Sequence, residues 1–246
     1  MIPFERASIA FLVSFIFITP KYILKIIPDY NYTQIYINFN MAIEFNFILV
    51  YYQIRSNRGE MKMVSVRKYE EKDFDGVRFA CLNSEGPNVD PEEVRQFVLC
   101  TFCDYYIEQE PENCFVLDDD GKAVGYVICT ENYDKFKPVF DAEYLPRTKN
   151  MSPHRYQWAM ESTVLQAKYK DVYPAHLHID ILPEYHRKGY GGELINALFD
   201  HLRSKGIKGV MLTVGAGNST GIGFYKKYGF ELIEQWQDDV AFGMKL

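Results

Sequence analysis

The stretch from Leu177 to Leu202 constrains the fold of this 246-residue chain more than any other. Leu177-His178-Ile179-Asp180-Ile181-Leu182 alternates with period two and then meets Pro183, which reads as a strand with a stop. His186-Arg187-Lys188-Gly189-Tyr190-Gly191-Gly192 follows, and beyond it Leu194, Ile195, Leu198 and Leu202 recur at helical spacing. Glycines at a strand-to-helix turn let backbone N–H groups approach a ligand closely, and a helix N-terminus favours negative charge. The order strand, Pro, glycine turn, helix therefore predicts a diphosphate cradle at 186–192.

A second ordered set lies downstream. Val210-Met211-Leu212-Thr213-Val214 reads as a buried strand, and Asn218 opens a polar turn. Gly223-Phe224-Tyr225-Lys226-Lys227-Tyr228-Gly229-Phe230 then leads into Glu231-Leu232-Ile233. Together the two sets resemble the GNAT superfamily of N-acetyltransferases. Its acetyl-CoA motif is Gln or Arg, two residues, Gly, one residue, then Gly or Ala. Arg187, Lys188, Gly189, Tyr190 and Gly191 fit that pattern, Gly192 extends it, and His186 stands where the family has Gln or Arg. The resemblance covers roughly residues 64–246.

The resemblance implies an α/β (α+β) fold with a mixed, mostly antiparallel central sheet, helices on both faces, and acetyl-CoA at the splay between the central strands. It implies an acetyl-CoA-dependent N-acetyltransferase acting on a primary amine of a small molecule or peptide, by direct attack in a ternary complex. Ile181 and Leu182 would pair with the pantetheine arm, and residues His186, Arg187, Lys188, Gly189, Tyr190, Gly191 and Gly192 would hold the pyrophosphate. Asn218 would contact the cofactor, and Tyr225 would protonate the leaving thiolate. Gly229-Phe230 reads as a helix cap followed by a core residue.

Acyl transfer also needs a base, and three residues stand open for it. His176, His178 and Asp180 share one face of their strand, opposite Leu177, Ile179 and Ile181. His178 and Asp180 fall near the strand end, while Glu131 ends the preceding strand. No spacing argument separates His178, Asp180 and Glu131. The row His176/His178/Asp180 also resembles the metal motif of metallo-β-lactamase-fold hydrolases. There a further His follows the Asp, where this chain has Ile181, so the expectation is no metal. A catalytically silent GNAT-fold binding module is the other alternative, and His186 is the feature that favours it.

Composition limits the function classes. A net charge of −6 lacks the basic stripe of a nucleic-acid binder. The five cysteines all lie between Cys81 and Cys129, which shows no disulfide framework and suits a reducing, cytoplasmic setting. Cys100 and Cys103 form a C-x-x-C pair, but Val94, Phe97, Val98, Thr101 and Tyr105 make a helical stripe around them, so they read as packing residues. A small-molecule amine or peptide acceptor is expected, and a homodimer stays open.

The composition shifts near residue 60. Residues 1–60 hold twelve Ile and one Gly, against eight Ile and fifteen Gly in 61–246. The apolar run from Ala7 to Thr19 is shorter than the ~20 residues of a spanning helix. Three readings of 1–62 stay open: a membrane-associating segment, an added packing element, or an upstream start ahead of Met61 or Met63. Membrane contact is expected only in the first case. The domain expectation is an extension at 1–62 and a GNAT domain at 63–246, with 131–172 as an acceptor-site insertion.

Further elements follow from local signals. Val64–Arg67 reads as a strand and Glu70–Leu82 as a helix. Asp90-Pro91-Glu92-Glu93 starts a helix running to about Glu108. Cys114–Leu117 and Lys122–Thr130 read as strands joined by Asp118-Asp119-Asp120-Gly121, a solvated Asp-Gly hairpin turn. Within 131–172, Tyr156–Lys168 has helical spacing.

Overall fold

The computed structural model describes residues 64–87 and 90–246. The readings of residues 1–62 lie outside the described residues. The core is one seven-stranded sheet, ordered β1-β2-β3-β4-β5-β7-β6. Its strands are β1 (Ser65–Lys68), β2 (Phe115–Asp119), β3 (Lys122–Thr130), β4 (Ala175–Ile181), β5 (Gly209–Gly215), β6 (Glu231–Trp236) and β7 (Asp239–Lys245). All neighbours pair antiparallel except β4 and β5. The helices are α1 (Phe74–Asn83), α2 (Glu92–Phe102), α3 (Asp104–Gln109), α4 (Tyr133–Val139), α5 (Leu145–Thr148), α6 (Pro153–Glu161), α7 (Val164–Tyr169), α8 (Tyr190–Ser204) and α9 (Ser219–Tyr228). This is the mixed, mostly antiparallel sheet flanked by helices that the motifs imply.

The β2–β3 hairpin turns where the Asp-Gly signal sits. Asp120 and Gly121 both adopt positive φ (57° and 81°), and Asp118 Oδ1 accepts from the Gly121 N–H at 2.8 Å. The helix expected from Asp90 to Glu108 is two helices, because Cys103 leaves helical geometry (φ −130°). Pro91, not Asp90, occupies the N-cap position of α2. Cys100 and Cys103 are buried in this region, as packing residues are. The strand β7 is absent from the sequence reading. Val240-Ala241-Phe242 fills it with buried side chains, and the tight turn before it uses Gln237 at φ 51° instead of Asn-Gly or Asp-Gly.

Residues 131–172 contribute a buried aromatic stripe to the core. Asn132 caps α4 by accepting from the Asp134 and Lys135 N–H groups, and Ser152 caps α6. Phe136, Phe140 and Tyr144 recur every four residues and are almost fully buried against Tyr105 and Tyr106. That aromatic stripe packs part of the segment onto α3, while Trp158 stays at the surface. This side chain is 44% exposed and stacks over Phe97 at 5.0 Å.

Candidate active site at the β4–β5 splay

The parallel pair β4–β5 registers Ala175 with Val210 and His176 with Met211, and its pairing ends there. Beyond Leu177 and Leu212 the strands part, leaving a wedge in the middle of the sheet. Ladder geometry decides which backbone groups face it. The Leu182 N–H donates to the Val124 carbonyl at 2.9 Å. Antiparallel alternation then gives Asp180 and His178 to β3 and turns the N–H and C=O groups of Ile179 and Ile181 toward the wedge. Leu182 also spends its carbonyl, which accepts from the Tyr185 N–H at 2.9 Å. Both backbone groups of Leu182 are thus engaged within the chain, whereas those of Ile179 and Ile181 face the wedge. The alternation rule held the missed signal, since consecutive strand residues cannot both face one edge.

The glycine turn leads from β4 into α8. Arg187 (φ 59°) and Gly189 (φ 94°) are both left-handed, and Gly189 is the N-cap residue of α8. The first turn of α8 begins with the Gly192 and Glu193 N–H groups donating to the Gly189 carbonyl. Among the described residues, the N–H groups of Arg187 to Gly191 have no backbone acceptor, as the start of a helix leaves them. Arg187 and Lys188 are exposed beside these amides, and the Lys188 ammonium lies 5.3 Å from the Tyr185 ring centre. A Cβ on Gly191 would meet the Phe224 ring at 3.2 Å, so this glycine lets α8 approach α9. The turn fits a pyrophosphate: free donors, two cations and the positive end of a 15-residue helix converge there.

His186 takes a defined post in this turn. Its Nε2 lies 2.6 Å from the Ile181 carbonyl, which can only accept, so Nε2 carries the proton. Asn218 is the N-cap of α9, and its Oδ1 accepts from the Gly221 N–H at 2.8 Å. Its oxygen thus serves the helix, leaving the side-chain amide nitrogen for a ligand.

Tyr225, on α9, is buried and packs edge-on to Phe224 and Phe230, with ring centres 5.3 and 5.6 Å away. Its hydroxyl has no hydrogen-bond partner among the described residues. Burial, and next the charge of Asp180, push the phenol well above its ordinary value, so it stays protonated. Asp180 is half-buried, and desolvation raises its carboxyl to about 6 against hydrogen bonds from Tyr126 and Ser84. A carboxyl that titrates there and a protonated phenol in its field are suited to take and to give a proton.

The rest of the polar row behaves differently. His176 and His178 both point Nε2 at the buried Tyr106 hydroxyl, at 3.0 and 3.1 Å. One hydroxyl proton serves two rings, so Tyr106 donates to one and accepts from the other. Burial lowers both imidazoles, His178 to about 4, so both are neutral. Asp180 is engaged by Tyr126 instead, and the three side chains share no centre. Among the described residues, no group of three His, Cys, Asp or Glu could hold a metal ion. Glu131 is ion-paired with Lys205 and with Lys135 (3.0 Å), and hydrogen bonding to Lys205, against partial desolvation, holds its carboxyl below the usual range. It lies five β3 residues beyond Tyr126, about 16 Å along the strand. Neither its charge state nor its position suits a base at the wedge.

Residues 78–230 match the family model described as the acetyltransferase (GNAT) family. The solved structure of SsHAT is 28% identical and aligns over 74% of this chain and 97% of its own, with a TM-score of 0.65. A polyamine N-acetyltransferase from Drosophila melanogaster shares the fold at 14% identity, over 75% of this chain and all of its own, with a TM-score of 0.53. An uncharacterized N-acetyltransferase of Methanocaldococcus jannaschii is 24% identical over 135 residues, which is 54% of this chain and 46% of that relative. The chain thus spans about half the length of the curated relative it matches. No helix among the described residues is long and apolar enough to cross a membrane. The family model covers well over half of the sequence, and with the splayed sheet and its cradle it places this chain in the GNAT family of acetyltransferases.

Proposed function

We propose that the chain moves the acetyl group of acetyl-CoA to a primary amine by direct attack in a ternary complex. The observation that carries this reading is the wedge itself. It opens directly beside Asp180, on the strand that leads into the cradle, and Tyr225 lies within that carboxylate's field. When bound, acetyl-CoA supplies the thioester that makes the acyl group transferable. Residues 187–191 and the Arg187 and Lys188 charges hold its pyrophosphate, and the inward N–H and C=O groups of Ile179 and the Ile181 N–H line its arm. Asp180 would take a proton from the incoming ammonium, directly or through water; as the C–N bond forms and the C–S bond breaks, Tyr225 Oη would donate a proton to the departing sulfur and recover the one shed by the new amide nitrogen. Holding amine and carbonyl together supplies a large share of the acceleration, about 7–11 kcal/mol in well-oriented systems.

A small cationic amine suits the acceptor side. Ser84 reaches Asp180 and also lines an open cleft with Glu85, Gly86, Asp90 and Val98. The chain's net charge of −6 attracts cations as well. The Drosophila neighbour acts on polyamines, in keeping with that chemistry. Thiol release from acetyl-CoA, measured against agmatine, spermidine, amino sugars, amino acids and peptides, tests the assignment. A Tyr225→Phe variant is expected to lose about 100-fold in kcat with an unchanged acetyl-CoA Kd. Full activity in that variant removes Tyr225 from the role of acid.

A silent binding module is the second reading, favoured by His186 engaging the wedge-facing Ile181 carbonyl. Acetyl-CoA that fails to raise Tm would support it, and a marked rise would exclude it.

A further inference from the structure

Asp180 is held by donors from two other elements. Tyr126 faces it across the β3–β4 ladder, is fully buried, and donates its hydroxyl to Asp180 Oδ2 at 2.5 Å. Ser84, the residue that closes α1, hydrogen-bonds the same carboxyl. Among the described residues the Tyr126 hydroxyl has no other hydrogen-bond partner. Packing alone asks only for the ring of Tyr126, so the hydroxyl's work lies at Asp180.

We propose that Tyr126 is a positioning residue of the transfer reaction: with Ser84 as second donor, its hydroxyl holds the Asp180 carboxyl in the ionised form that accepts a proton. This rests on Asp180 acting as the base. The groups facing Asp180 are Tyr126 from β3, Ser84 and Glu85 from the end of α1, Tyr225 from α9, His186 from the turn, and His178 on its own strand. Burial lifts the carboxyl most and Glu85 adds to that, while the Tyr126 and Ser84 hydrogen bonds and His186 oppose them. A hydrogen bond donated to the charged form lowers a carboxyl, so deleting the donor raises it.

The test follows the Asp180 carboxyl by NMR in protein labelled with ¹³C-aspartate, its signal identified by loss in Asp180→Asn. In Tyr126→Phe the titration midpoint is expected to rise from about 6 by about one unit, the size of a hydrogen bond to a charged group. Ser84→Ala, at a half-buried position away from the core, moves it the same way by less. With acetyl-CoA and agmatine as probe amine, Tyr126→Phe loses about fivefold in rate at pH 6 and almost nothing at pH 8.5. An unmoved midpoint in both variants overturns the proposal. So does an equal rate loss at every pH, the mark of a packing role. Full activity in Asp180→Asn instead sinks the premise, and the two failures are told apart because the NMR midpoint is read without any turnover.

Discussion

The two ends of β4 carry the same kind of polar side chain on the same face, yet they do opposite things. At the end paired with β5, His176 is 1% exposed, locked to Tyr106 and neutral. At the end where β5 has left, Asp180 is half-buried, titrates near neutrality and lies in reach of Tyr225's field. Four strand positions separate the buried, hydrogen-bonded His176 from the carboxyl proposed as the base. The parting of β4 and β5 makes the difference, because it leaves Asp180 half-open at one end while His176 stays buried in the paired sheet at the other. A row of His and Asp on one strand face therefore carries no function by itself.

The sharpest way to break this comparison is to neutralise one carboxylate at each end. Asp180→Asn is expected to lower kcat about 1000-fold, or about 4 kcal/mol of transition-state stabilisation. Glu131→Gln should stay within a factor of two of the parent. Comparable losses from both would erase the distinction between the ends and return Glu131 to the candidates for the base.

Acid stability sharpens the comparison further. Above about pH 6.5 the imidazoles are neutral in both folded and unfolded chain. As the pH falls, the unfolded chain takes up protons that the buried His176 and His178 refuse, so stability drops until His178 titrates at about 4. Asp180 has the opposite sign. Its folded carboxyl, raised to about 6, binds a proton before the unfolded one does and partly offsets the loss between pH 6 and 4. Two imidazoles against one carboxyl leave a net loss of about 3 kcal/mol between pH 6.5 and 4.5. Urea midpoints at pH 7 and pH 5 measure it, and a midpoint that rises on acidification contradicts the assignment.

The smallest effect concerns a residue at the wedge that the structure ties to the scaffold. Asn218→Ala is expected to cost about 1 kcal/mol through the lost cap on α9, read as a lower Tm. It should raise the acetyl-CoA Kd only a few-fold. A large rise in Kd at unchanged Tm would show that the side-chain amide, not the cap, is the part that matters.

Much of this site was legible in the sequence because its signals are local. The Pro183 stop, the glycines of 189–192 and the α8 stripe from Leu194 to Leu202 each follow from backbone preference or helical period. The Asp-Gly turn of β2–β3 belongs with them. What the sequence does not show depends on partners distant in it. The Leu182 N–H pairs with the Val124 carbonyl. Phe136, Phe140 and Tyr144 meet Tyr105 and Tyr106 only in the packed core. Strand β7, with no strong turn residue before it, is defined by its pairing with β5 and β6.

The sequence alone determined the strand–turn–helix order around residues 177–202, the place of the glycine turn within it and the family resemblance, since each rests on periods and turn chemistry read over a few residues. Tertiary structure alone decided the surroundings, and with them the proton affinities, of His178, Asp180 and Glu131. Proton affinity depends on desolvation and on neighbours such as Tyr126, Ser84, Tyr106 and Lys205, which the chain brings together from 54 to 96 residues away.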